Sequence, residues 1–171
     1  MAYRSLLECV IGDTHPSEYK RMFESQYGEK PGTIHLHKGE KVHNPKVSDH
    51  TSDRKAYLEY PWIKYWQAFT GIHSNKLQCA CCGKDIYVDE ESAECLKDVE
   101  EQNKENKTSN LITPEDLKAV GAHLYANGKD ASNGYYIVPM CKEHNGKSSD
   151  VMMTISQYTT AVEEIHASIK K

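Results

Sequence analysis

Two short cysteine-containing runs constrain this chain more than anything else in it. Cys79 and Cys82 are separated by two residues within Cys79-Ala80-Cys81-Cys82-Gly83, and Cys141 and His144 repeat that gap within Cys141-Lys142-Glu143-His144-Asn145. Each pair can offer two ligands to one tetrahedral ion, and three thiolates with one imidazole suit Zn²⁺. Gly83 follows the first pair directly, where a knuckle needs a turn that glycine adopts without strain. The alternative is that these cysteines pair as disulfides or are merely buried; in a chain read as intracellular, the paired two-residue gaps favour metal. Cys81 could replace Cys82 only with a cramped one-residue gap to Cys79, and is expected to be a bystander.

A structural ion matters more in a chain with a modest core. Only 38% of the 171 residues are hydrophobic, and a structural zinc can add on the order of 10 kcal/mol to folding. No apolar run approaches the roughly 20 residues of a membrane span. The opening Met1-Ala2-Tyr3-Arg4-Ser5 leads into a short apolar stretch interrupted by Glu8, without a convincing cleavage site, so the expectation is a cytoplasmic protein. The net charge of −4 is unevenly spread: residues 1–70 carry ten Lys/Arg against nine Asp/Glu, while 71–171 carry eleven Lys, no Arg and sixteen Asp/Glu. An acidic, arginine-free zinc half argues against tight binding of duplex DNA, whose affinity comes largely from phosphate neutralisation.

Hydrophobic periodicity predicts an amphipathic helix over residues 3–11, closed by Gly12, and a second after Pro16 with Tyr19, Met22, Phe23 and Tyr27 on one face, closed by Gly28. Cys9 reads as a small core residue. Thr33–His37 and Glu40–His43 read as a hairpin turning at Lys38-Gly39. Alternation places His35 and His37 on one strand face, either as solvated histidines or, with Lys38 and Lys41, as a contact for an anion or partner. The surrounding stretch, 30–50, holds four Lys and four His against Glu40 and Asp49 and is the most basic in the chain.

Tyr60-Pro61 opens a helix whose Trp62, Ile63, Tyr65, Trp66 and Phe69 form a wide apolar stripe, expected to lock the N-terminal part onto the zinc module. Asp85–Val88 suits a short strand. Residues 89–110 form a polar insertion with Ala93, Leu96 and Val99 as a thin helical stripe and Cys95 free. Thr113-Pro114-Glu115-Asp116 reads as a capped helix start running to about Val120. Val151, Ile155, Tyr158, Val162, Ile165 and Ile169 predict a C-terminal helix, packed on the module or paired with a second copy as a coiled coil.

The order Ala122-His123, loop 125–134, strand 135–140, Cys141/His144 and Asn145 resembles the HNH, or ββα-metal, nuclease family, in particular its zinc-stapled branch that includes phage endonucleases resolving branched DNA. The resemblance spans roughly residues 76–150. It implies an α+β fold: a zinc-knuckle ββα-metal module over 76–171, carrying the insertion and the C-terminal helix, with 1–75 as a helical and hairpin extension packed on it. It gives His123 the place of the general base and Asn145 that of one catalytic-metal ligand. The second ligand place, an Asp or His in the family, is Ala122, and a methyl group cannot coordinate Mg²⁺ or Mn²⁺.

The expectation is therefore a Zn²⁺-stabilised, HNH-like scaffold that has lost catalysis and binds a protein or nucleic-acid partner, in phage–host conflict or in regulation. Two alternatives stand beside it. One is an active endonuclease using Mg²⁺ or Mn²⁺, with Asp130, Asp150 or an N-terminal histidine replacing the lost ligand. The other is a structural zinc adaptor in which His123 is simply packed.

Overall fold

The computed structural model of the protein describes residues 12–46, 51, 54–105, 111–126 and 134–165. The helix expected over residues 3–11, with Cys9, and the candidate ligand Asp130 lie outside the described residues.

Helix α1 (Pro16–Tyr27) starts on proline, with the Ser17 N–H donating to His15 Nδ1 at 3.2 Å, and closes on Gly28 at φ 76°. Its buried face carries Tyr19 and Phe23, as the spacing predicts. Helix α2 (Trp62–Thr70) follows Pro61 and a 3-10 turn over Tyr57–Glu59. The two helices share an aromatic core: Tyr19 stacks on Tyr60 at 3.9 Å, and Phe23 meets Phe69 edge-on at 5.0 Å. Each buried polar tip has a partner, as burial demands. The Tyr19 hydroxyl donates to the Tyr57 carbonyl, Tyr60 to Thr14, Tyr65 to Glu163, and the Trp66 ring N–H to Thr160. Burial pushes the Tyr60 phenol up to about 12.

The main sheet contains β1 (Thr33–Leu36), β2 (Lys41–His43), β5 (Val120–Ala126), β6 (Tyr136–Met140), β7 (Met153–Thr154) and β8 (Thr159–Glu163), in the order β1-β8-β6-β5-β2-β7. Every neighbouring pair is antiparallel. A second, two-stranded sheet joins β3 (Lys76–Gln78) to β4 (Asp85–Tyr87). Helix α2 lies against β5, β6 and β8. Its N-terminus sits so close to β5 that a Cβ added at Gly121 would stand 2.3 Å from the Ile63 nitrogen. The backbones can meet there only because position 121 has no side chain. Among the described residues no helix is long and apolar enough to cross a membrane.

Four expectations about elements are corrected. The C-terminal helix is absent over Val151–Ile165, which instead forms β7 and β8, and the coiled-coil seam goes with it; Ile169 lies outside the described residues. Ile155 and Val162 are buried as their pattern requires, but Val151 and Tyr158 are exposed. The run Thr159-Thr160-Ala161-Val162 is rich in residues that fit a pleated surface, and β8 gains partners on both sides, β1 and β6. The hairpin of Thr33–His37 with Glu40–His43 is not formed either. β1 pairs with β8 and β2 with β5 and β7, because the Gly39 turn bonds to Ile155 and sends the chain to another part of the sheet.

The insertion does form a helix, as its stripe predicts, and the third correction concerns the face it buries. Helix α3 (Ala93–Glu105) buries Cys95 and Val99 and leaves Leu96 exposed. These side chains pack with Tyr87 and Leu117 in a small separate core. Thr113 does begin a capped turn, its N–H donating to Asp116 Oδ2 at 2.8 Å. The fourth correction is that this turn is a 3-10 helix ending at Leu117 rather than a helix running to about Val120, and the chain then extends into β5.

Candidate metal centre and adjoining cleft

β5 and β6 form an antiparallel pair with Gly121 opposite Pro139 and His123 opposite Ile137. β6 runs directly into Cys141, which precedes the one-turn helix α4 (Lys142–Asn145). The first knuckle docks against the end of β6, the Ala80 N–H donating to the Pro139 carbonyl at 3.0 Å. Gly83 closes that knuckle at φ 73°, its N–H on the Cys79 carbonyl.

This brings together the four residues singled out from sequence spacing. The ligand atoms of Cys79, Cys82, Cys141 and His144 all lie within 4.8 Å of one another. Cys82 Sγ and Cys141 Sγ are 3.9 Å apart, and Cys141 Sγ is 3.2 Å from His144 Nδ1. Thiolates about 2.3 Å from a tetrahedral centre would sit about 3.8 Å from each other, so the cluster has the size of an ion's coordination shell. It can hold a metal ion. Burial pushes the Cys141 thiol up from its ordinary range, and a cation offsets that cost by stabilising the thiolate. The described cysteines Cys79, Cys81, Cys82, Cys95 and Cys141 are free rather than disulfide-bonded. Cys81 is outside the cluster, and burial pushes its thiol up to about 12.

Beside the cluster opens a cleft of about 640 Å³ lined by α2's N-terminus, β5 and the loop after α4, with His123 and Asn145 both on its wall. Asn44, only 4% exposed, ties the cleft to the metal loop. Its Nδ2 donates to the carbonyls of His144 at 2.7 Å, Asn145 at 3.3 Å and Lys147 at 2.8 Å. The charged side chains lining the cleft, among the described residues, are Lys46, Arg54, Lys55 and Lys147 against the single carboxylate of Glu59.

His123 is held from several directions. Trp62 meets its ring edge-on at 4.9 Å, and its Nε2 lies 3.4 Å from Oε1 of Glu164, a fully buried carboxylate. The other oxygen of Glu164 accepts from Arg54 Nη1 at 2.9 Å. Arg54 in turn lies 4.9 Å over the Tyr135 ring and accepts the Trp62 ring N–H on its carbonyl. Ala122 alternates to the other face of β5 and is buried in the main core.

The other candidates lie elsewhere. His35 and His37 both meet the exposed Tyr158 ring, at 5.3 and 5.4 Å. Lys38 is exposed and Lys41 bonds to Thr154. None of the four lines the cleft. Asp150 is exposed and also absent from its wall. Arg54, Glu164 and Asn44 escaped the sequence reading. Glu164 was hidden by the helical pattern assigned to its segment, while Arg54 and Asn44 carry no motif and acquire meaning only from what they touch. Comparison with protein-family models, curated proteins and solved structures found no match.

Proposed function

We propose that the protein is a zinc-stabilised, HNH-like scaffold that binds nucleic acid through the cleft and has lost the family's divalent-metal cleavage. The Cys₃His donor set and its spacing fit Zn²⁺, which such a site holds with four protein ligands and no open position. Cys79, Cys82, Cys141 and His144 would hold the ion, whose part is structural. The succession of two antiparallel strands and a short helix that carries the second ligand pair supports the HNH-like reading.

The nucleic-acid reading rests on one observation: Lys46, Lys55, Lys147 and Arg54 line a cleft beside the metal centre, against Glu59 on its wall and the buried Glu164 that pairs with Arg54. That balance reverses the sign of the whole chain, and phosphate groups are the anions such a wall neutralises. A catalytic Mg²⁺ or Mn²⁺ does not fit equally well. Asn145 offers a neutral amide oxygen, and the place of the second ligand is a core methyl, whereas these ions demand several oxygen ligands.

Fluorescence anisotropy with labelled single-stranded and duplex oligonucleotides tests the binding. The expected result is an affinity that falls as salt rises and weakens in a Lys55→Ala/Lys147→Ala variant. Salt-independent or absent binding contradicts it. The competing reading, an active endonuclease with His123 as base and Asn145 as ligand, draws support from those two residues sharing one cleft. Mg²⁺- or Mn²⁺-dependent nicking of supercoiled DNA that vanishes in His123→Ala would establish it instead.

A further inference from the structure

We infer that the cleft acts on RNA, with His123 as a general base that takes the proton of a ribose 2′-hydroxyl and Glu164 as the residue that positions it. This rests on the cleft being a nucleic-acid site. A base beside a carboxylate stands in a cleft edged by lysines: His123 Nε2 is 3.4 Å from the buried Glu164, which Arg54 anchors at 2.9 Å. At 3.4 Å the two atoms make no aligned hydrogen bond; the buried carboxylate favours the tautomer with its proton on Nε2, which leaves the lone pair of the imidazole on Nδ1. Trp62 on the ring edge limits its rotation. A buried carboxylate beside a histidine that borders an open cleft brings a base and its orienter together, and the hydrogen bond between them would close in the substrate complex.

The charge around the base points to the class of reaction. With the Arg54–Glu164 pair set aside, three lysines face the single carboxylate of Glu59 on the wall, an arrangement suited to a phosphodiester rather than to a hard cation with its oxygen ligands. A reaction that brings its own nucleophile matches this equipment, and RNA carries one next to each phosphodiester. His123 takes the 2′-O–H proton, and the oxygen electron pair forms the bond to phosphorus. The P–O5′ bond breaks with its electrons on O5′, which takes a proton from the Lys147 ammonium or from water. The products are a 2′,3′-cyclic phosphate and a 5′-hydroxyl, and no water is consumed. Arg54 and the lysines offset the charge that builds on the phosphoryl oxygens. DNA, lacking the 2′-hydroxyl, binds and stays intact.

The experiment uses full-length, zinc-loaded protein in buffer freed of other divalent ions. One sequence is offered as RNA, DNA and 2′-O-methyl RNA; anisotropy reads binding and mass spectrometry reads product ends. Binding of all three with cleavage of RNA alone, to cyclic-phosphate and 5′-hydroxyl ends, is expected. His123→Gln should lower the rate at least roughly 100-fold with RNA still bound. Glu164→Gln should lower kcat much more than it raises KM, with zinc content and Tm measured alongside to separate loss of fold. RNA that is bound but left intact, or cleavage undiminished in His123→Gln, overturns this inference and leaves the binding reading standing. Failure of all three to bind overturns both.

Discussion

At the scale of single residues, the structure depends on side chains that no motif announces. Gly121 lets the backbones of β5 and α2 touch, with the Ile63 nitrogen 2.3 Å from where a Cβ would stand. Gly121→Ala should therefore destabilise the protein by roughly 3 kcal/mol, the upper part of the usual range for overpacking, as read by chemical denaturation. Asn44 satisfies three carbonyls of the metal loop with one amide. Asn44→Ala removes this donor from the Asn145 and Lys147 carbonyls, while the His144 carbonyl keeps the Lys147 N–H; it should cost about 1–3 kcal/mol, and the zinc off-rate, measured with a chelating dye, should rise. Ala122→Asp would place an unpaired carboxylate in the core. Loss of folded protein by circular dichroism is expected from this variant, because an unpaired buried charge costs several kcal/mol.

The four residues of the Cys₃His cluster were legible in the sequence because their chemistry is carried by identity and short spacing alone. Glu164 and Arg54 were not: their significance is a contact 110 residues apart in sequence, and neither type is unusual by itself. His123 was singled out by its place in a motif, yet the carboxylate behind it is visible only once β8, paired with β6, brings Glu164 to it.

At the scale of elements, helices with a strong stripe and clear caps were readable, and short strands were not. α1 and α2 announce themselves by proline at the start and glycine at the end. β7 and β8 were masked by apolar residues at alternating steps of three and four, which two short strands joined by a turn satisfy equally well. What decides between them is pairing with β1 and β6, a long-range fact absent from any local window. The insertion behaves as its own small unit, with Tyr87, Cys95, Val99 and Leu117 in a core apart from the main one. Leu117→Ala, at a fully buried position, should cost roughly 2–4 kcal/mol locally. Hydrogen exchange should show α3 loosened while zinc content stays that of the wild type. Loss of zinc in this variant would mean that the two cores are coupled.

At the scale of the whole molecule, strands from the two halves alternate: β1 pairs with β8, and β2 lies between β5 and β7. Separating 1–75 from 76–171 would leave β5, β7 and β8 with exposed edges and α2 without its sheet. Neither fragment is expected to give a cooperative thermal transition alone, and mixing them should restore one. Two independently folding fragments would contradict this.

The Cys₃His cluster sits where the first knuckle, β6 and α4 converge, and Asn44 links it to the cleft. With Zn²⁺ as its proposed occupant, metal and fold form one cooperative system, and Cys141→Ser should lose both the ion and the cleft. X-ray absorption at the zinc edge tests this centre most directly, because it reads metal identity and ligand set together. The expected result is one zinc per chain with three sulfurs at about 2.3 Å and one nitrogen at about 2.0–2.1 Å. A folded protein without stoichiometric zinc, or a shell of oxygen and nitrogen alone, would contradict it.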